Sequence, residues 1–170
     1  MDNGTPGSGV VGMADPAYPP SRRAPPRWAV GGAIPWLVLA IGQLVWMEFD
    51  QRILWLHTVV AVATVFGAAI SVVVVPLWRY RVHRWEISPQ AVYTRTGWLV
   101  QERRIAPISR VQTVDTYRGP LDRLFGLANV AVTTASSAGA VHIIALDVQV
   151  ADHIVAQLTD IAAIGAEDAT

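Results

Sequence analysis

Two long apolar runs without a charge come first along the chain, followed by short alternating segments and, last, one helical stripe. That order predicts a helical hairpin ahead of a small β-rich domain. Residues 28–47 (WAVGGAIPWLVLAIGQLVWM) hold no charge over 20 positions, and residues 53–78 (ILWLHTVVAVATVFGAAISVVVVPLW) hold none over 26. At about 1.5 Å per residue these helices would reach roughly 30 and 39 Å, against a hydrocarbon core of about 30 Å. The rest of a 170-residue chain is too short to enclose both, so both are expected to span a membrane. Trp28 and Trp46 bracket the first run and Trp55 and Trp78 the second, as an interfacial aromatic belt would. A cleaved signal peptide does not fit the first run, which exceeds an h-region and lies behind a 27-residue leader.

The connection Glu48-Phe49-Asp50-Gln51-Arg52 is short enough to make the two spans antiparallel. Ala63, Gly67 and Ser71 recur every four residues on one face of the second span. Small side chains there admit the first span closely, through Gly31, Gly32, Ala40 and Gly42. Gln43 and His57 lie near the loop end and read as reaching water or a neighbouring helix. Pro35 and Pro76 read as tilting or ending the helices.

Beyond residue 79 the period changes to that of strands. Residues 80–87, 91–96, 98–105, 109–117, 129–134 and 141–146 read as strands, separated by Ser88-Pro89-Gln90, Gly97, Gly119-Pro120 and a turn over residues 136–139. Residues 121–125 have room for one helical turn before Gly126. Val150, Ile154, Leu158 and Ile161 then recur at helical spacing, widened by Val155 and Ala162, with Asp147 as N-cap and Gly165 at the C′ position. A strand-rich run closed by one C-terminal helix is an α+β arrangement. The expected organisation is therefore a tail over 1–27, a transmembrane hairpin over 28–78, a compact domain over 79–164 and a short tail over 165–170.

Composition sharpens this picture in three places. Six of eleven prolines and four glycines fall in the first 26 residues, which predicts a disordered tail. The chain contains no Cys and no Lys, which excludes disulfides, zinc–thiolate sites, Schiff-base chemistry and a P-loop lysine. The formal net charge is zero, but the sign is segregated. Residues 79–123 carry nine Arg and four acids, a net of +5, whereas residues 124–170 carry five acids and no Arg, a net of −5. Arginines also flank the hairpin on the side away from its loop: Arg22, Arg23 and Arg27 before it, Arg79, Arg81 and Arg84 after it, with only Arg52 in the loop. The positive-inside bias predicts both termini in the cytoplasm.

The stretch Ile105-Ala106-Pro107-Ile108-Ser109-Arg110-Val111-Gln112-Thr113-Val114-Asp115, followed by Gly119-Pro120-Leu121-Asp122-Arg123-Leu124-Phe125-Gly126-Leu127-Ala128, resembles the YdbS-like bacterial membrane proteins. These carry a bacterial pleckstrin-homology-like (PH-like) domain behind two transmembrane helices, and the resemblance spans about residues 28–164. Thr134-Ala135 is followed by Ser136 where that family has Gly. The resemblance implies a seven-stranded, strongly bent sheet capped by the C-terminal helix. It implies neither an enzyme nor an agreed ligand, and transferring phosphoinositide binding from eukaryotic PH domains would be fold analogy alone. Within the motif, Pro107, Gln112, Gly119, Pro120, Phe125 and Gly126 read as structural. Proline and glycine serve strand ends and turns, Phe125 and Leu124 pack under the sheet, and Gln112 and Asp115 face water.

No catalytic constellation stands out. His57, His83, His142 and His153 are scattered, no HExxH, GxSxG or phosphate-cradling loop occurs, and no carboxylate pair suits acid–base work. The sequence therefore predicts no catalytic, cofactor or metal site. Its partners are expected to be the lipid bilayer and another membrane or PH-like protein, and not nucleic acid, since no aromatic-interleaved basic stripe is present. The expected role is a non-enzymatic inner-membrane protein that presents a cytoplasmic PH-like domain for protein–protein assembly. The alternative is anionic-lipid sensing by the basic half, with Arg79, Arg81 and Arg84 against the bilayer. Arg103, Arg104 and Arg110 are expected to pair with the acidic C-terminal helix instead.

Overall fold

A computed structural model describes residues 15–50, 52–97, 100–135 and 139–167, with side chains through residue 161. Helix α1 (Ala24–Phe49) turns back through a short connection into α2 (Leu54–Ala69), a π-helical turn (Ile70–Val74) and α3 (Val75–Val82), which follow one another without a break. Both arms, Ala24–Phe49 and Leu54–Val82, are long and apolar enough to cross a membrane. Their outer faces expose Leu37, Val38, Ile41, Leu44, Val59, Val62, Val65 and Phe66.

The two arms meet at Gly32, Gly67 and Ser71, whereas Ala63 is exposed and Gly31 faces Leu121. A Cβ on Gly32 would stand 2.8 Å from the Ser71 carbonyl oxygen, and one on Gly67 would run into the Trp36 indole. The Trp36 Nε1–H donates to Ser71 Oγ at 2.9 Å. Gly42, by contrast, has nothing facing it within 4 Å. The helix α1 continues through Pro35. The π turn ends two residues before Pro76, and the wider i→i−5 geometry accommodates a ring that would otherwise press on the preceding turn.

Residues 80–82 finish the helix instead of starting a strand. The His83 N–H and its Nδ1 both donate to the Arg79 carbonyl, at 2.9 and 2.8 Å, which closes the last turn. The strands are β1 (Arg84–Ile87), β2 (Ala91–Gly97), β3 (Gln101–Pro107), β4 (Val111–Tyr117), β5 (Leu127–Thr134) and β6 (Val141–Asp147). They form two antiparallel sheets of three, β1-β2-β3 and β4-β5-β6. The described residues thus hold six strands where the family resemblance implied seven. Residues 98–99 and the turn at 136–138, including Ser136, lie outside the described residues. Between β4 and β5 sits α4 (Pro120–Phe125), and α5 (Val148–Glu167) follows β6. This is the PH-like α+β arrangement behind two apolar helices that the sequence predicts.

The main core lies between β4-β5-β6 and α5. Val130, Val132, Ile143 and Leu146 pack against Ala151, Ile154 and Leu158, each at most 2% exposed. Burying a Leu, Ile or Val side chain stabilises by about 1.5–3 kcal/mol. Two details of the last helix differ from the sequence reading. Ala151 takes the buried place given to Val150, which is 38% exposed. The helix also runs past Gly165 to Glu167, since the small and acidic residues around that glycine are compatible with helix.

The expected tail over 1–27 is revised over its described part, since residues 1–14 lie outside the described residues. Residues 15–23 form a strap across the domain, and α1 opens at Ala24 with Pro25 and Pro26 in its first turn. There proline has no donor to lose. Two of the six prolines in this segment, Pro25 and Pro26, therefore start a helix.

Candidate functional site

The first turn of α1 meets α4 at a buried ion pair. Asp122 is 4% exposed, and its Oδ1 accepts from Arg27 Nε at 2.7 Å. Its Oδ2 accepts from the Gly119 N–H at 3.0 Å and from Asn129 Nδ2 at 3.1 Å. The sequence Gly119-Pro120-x-Asp122 makes this possible. Proline fills the first helical position, and the aspartate three residues after the N-cap reaches back to the Gly119 N–H. Gly126 ends α4 in the left-handed conformation, φ 67°, where glycine carries no Cβ penalty. Phe125 packs beside Ala24, Trp28, Leu127 and Ala145. Leu124, expected beneath the sheet, is 76% exposed instead.

Asn129 passes the network on. Its Oδ1 accepts from the Ala145 N–H at 2.9 Å, and the Ala145 carbonyl accepts from the Ser21 N–H at 2.9 Å. Ala145 has φ 55°, a conformation that costs a residue with a Cβ about 1–2 kcal/mol. Both of its peptide groups are thereby fixed, one from β5 and one from the strap. Ser21 Oγ also donates to Asp147 Oδ1 at 2.8 Å, with Arg23 at 4.0 Å from the same oxygen.

The strap continues along sheet β1-β2-β3. Tyr18 and Trp85 exchange backbone hydrogen bonds at 3.0 and 2.9 Å, their rings lie 5.3 Å apart, and Trp85 Nε1 donates to the Pro19 carbonyl at 3.1 Å. The Ala17 N–H donates to Glu86 Oε2 at 3.1 Å. Asp15 pairs with Arg95 at 2.8 Å and with Arg103 at 2.9 Å. An open cleft of about 790 Å³ separates the strap from Tyr80, Trp85 and the first turn of α5, and Arg22 and Arg23 are among its lining residues.

The three juxtamembrane arginines singled out from the sequence have three different environments. Arg79 lies over the Trp28 ring, 4.5 Å from its centroid, and Trp28 is itself buried under the domain. Arg84 Nη1 donates to the Tyr80 and His83 carbonyls, each at 3.0 Å. Arg81 is exposed. Near them His83 is buried against Trp28, ring centroids 5.6 Å apart. Burial pushes its pKa below the ordinary 6.5, and the Arg79 charge adds to this against the opposing hydrogen bond to the Arg79 carbonyl.

The motif residues occupy turns and one sheet edge. Pro107 ends β3, Gly119 and Pro120 open α4, and Gln112 and Asp115 are exposed on β4. Two of the three arginines expected against the C-terminal helix find other acids, Arg103 pairing with Asp15 and Arg104 with Glu102 at 2.7 Å, and Arg110 is exposed. Among the described residues no group of three or more His, Asp and Glu gathers as metal ligands would. At the loop end of the hairpin, Gln43 Nε2 donates to the His57 carbonyl at 2.7 Å, and His57 Nε2 lies 2.6 Å from the Asp50 carbonyl. Sequence reasoning missed the strap altogether. Ser21 and Asp15 carried a faint signal, as isolated capping and acidic residues inside a proline-rich stretch.

The bacterial PH domain family matches residues 30–162. The transmembrane protein YdbS of Bacillus subtilis (strain 168) is 32% identical over 115 residues, which cover 67% of this chain and 70% of that protein. No solved structure matches the chain.

Proposed function

The chain belongs to the bacterial PH-domain family of YdbS-like membrane proteins, and from that premise we propose that it is a non-enzymatic platform for protein–protein assembly at the inner membrane. Both apolar arms cross the bilayer, both termini are cytoplasmic, and the PH-like domain sits directly on the membrane face. Direct seating is supported by the passage from α3 to β1 across one residue, His83, and by the Arg27–Asp122 pair. The partner is another membrane or PH-like protein.

The observation that carries this reading is the outer edge of β4. Tyr18 bridges the β1 edge, and the strap reaches β6 through Ser21. Among the described residues β4 pairs with β5 alone, and Gln112, Thr113, Asp115, Thr116 and Tyr117 are exposed along it. A seven-residue edge of this kind presents unpaired backbone donors and acceptors, which is the template used in strand addition.

Copurification of the full chain in mild detergent tests the assignment. The wild type retains a stoichiometric partner, and Gln112→Arg combined with Thr116→Arg loses it without a change in thermal stability. Recovery of the wild type alone after cross-linking, or an unaltered complex in the double variant, would overturn it. A reporter active only in the periplasm, fused after Thr170, stays silent; strong activity would overturn the orientation.

A further inference from the structure

The strand register places three arginines directly opposite one another across the whole of sheet β1-β2-β3, Arg84 against Arg95 and Arg95 against Arg103. Like charges at directly opposed positions destabilise a sheet, so the row needs a counterion. In this structure the counterion is the Asp15 carboxylate, which gives one oxygen to Arg95 and the other to Arg103. One carboxylate against three guanidinium groups leaves the row two positive charges in excess. Of the nearby acids on β1 and β3, Glu102 pairs with Arg104, and Glu86, whose Oε2 accepts from the strap's Ala17 N–H, offsets part of that excess from two residues along β1 without an ion pair to the row.

Two of the three side chains are fixed in place. Arg95 is 16% exposed, and its Nε donates to the Val82 carbonyl at 3.0 Å. Arg84 is held by the Tyr80 and His83 carbonyls. These carbonyls belong to the last turn of the second apolar arm and the residue after it, so the row stands beside the end of that arm. A planar guanidinium offers five donors in a fixed fork suited to carboxylate or phosphate oxygens.

We infer that Arg84, Arg95 and Arg103 form a binding site for the phosphate of an anionic phospholipid headgroup, and that Asp15 occupies the same site when the strap is closed. Lipid and Asp15 compete for Arg95 and Arg103. Strap closure is thereby coupled to the anionic lipid content of the leaflet the domain faces. This goes beyond the assembly reading and is independent of it, because no protein partner enters its test.

Short-chain phosphatidylglycerol titrated into the detergent-solubilised full chain, with retained lipid counted by native mass spectrometry, reads the site. Asp15→Ala binds roughly five- to tenfold more tightly than wild type, because the competing carboxylate is gone. Arg103→Gln, at an exposed side chain that the fold does not bury, binds about tenfold more weakly, and Arg103→Lys falls between. Unchanged affinity in Asp15→Ala, or wild-type affinity in Arg103→Gln, would overturn the site. Equal binding of zwitterionic phosphatidylcholine, or of inorganic phosphate alone, would overturn the anionic-lipid assignment.

Discussion

Sheet β4-β5-β6 turns Val130, Val132, Val141, Ile143 and Leu146 into a core shared with α5, whereas β1-β2-β3 adds Val92 and Ala106 to that cluster and carries the arginine row on strands β1 to β3. Both sheets have three antiparallel strands, so backbone pairing alone does not separate them. What separates them is the medium each face meets. The first is held by apolar area removed from water. The second gains cohesion from a strap and from charge pairs whose strength depends on exposure. Small domains of one core can place a charged, exchangeable surface on one sheet because the other supplies most of the stability.

Variants can break this contrast in order of expected effect. Ile143→Ala in the first sheet removes a fully buried side chain and lowers stability by about 2–5 kcal/mol, seen as a large drop in unfolding temperature of the full chain in detergent. Asp122→Ala comes next, at about 2–3 kcal/mol. It orphans the Gly119 N–H, leaves Asn129 Nδ2 only its long bond to the Tyr117 carbonyl at 3.4 Å and strips Arg27 of its partner, although the part-exposed Arg27 moderates the loss. Such a variant also loosens the domain from the hairpin, and faster proteolysis between α1 and α4 in detergent would report it.

Smaller effects belong to the second sheet. His83, at the entrance to β1, has its pKa held below 6.5 by burial, so the fold favours the neutral ring. Its contribution is complete above pH 6.5 and is lost as pH falls from there toward the lowered value, by at most about 1.4 kcal/mol per unit. Measured from pH 7.5 to 5.5, the wild type loses stability relative to His83→Gln; parallel curves would mean that the ring is not buried as described. Asp15→Ala changes stability by less than about 1 kcal/mol, because the carboxylate is half exposed. An effect as large as that of Ile143→Ala would erase the distinction between the sheets.

The hairpin, the strand series and the last helix were legible because each carries its own periodicity. Leu158 and Ile154 announce the buried stripe, and Gly67 and Ser71 announce the face that meets the first arm. The strap was not legible, because a run such as Tyr18-Pro19-Pro20-Ser21 has no period and reads as a spacer. Its order comes from residues far along the chain, Trp85, Ala145 and Asp147. Arg79 and Trp28 show the same limit. Each looks interfacial alone, and together they form a cation–aromatic pair in which Trp28 is buried and Arg79 half-buried. The partners of Arg103 were misread for the opposite reason, since a net charge of −5 in the C-terminal segment is a property of composition and not of distance.

By itself the sequence determined the two apolar arms, the order of strands, the helix that closes the domain and the family to which the chain belongs. Those features rest on local pattern and on motif residues adjacent in the chain. Tertiary structure alone decided that the arginines of three strands stand in one row, that Asp15 lies across two of them, and that Arg27 meets Asp122. Register and docking bring together residues 8 to 95 positions apart, and electrostatic interactions act through space, where chain separation carries no information.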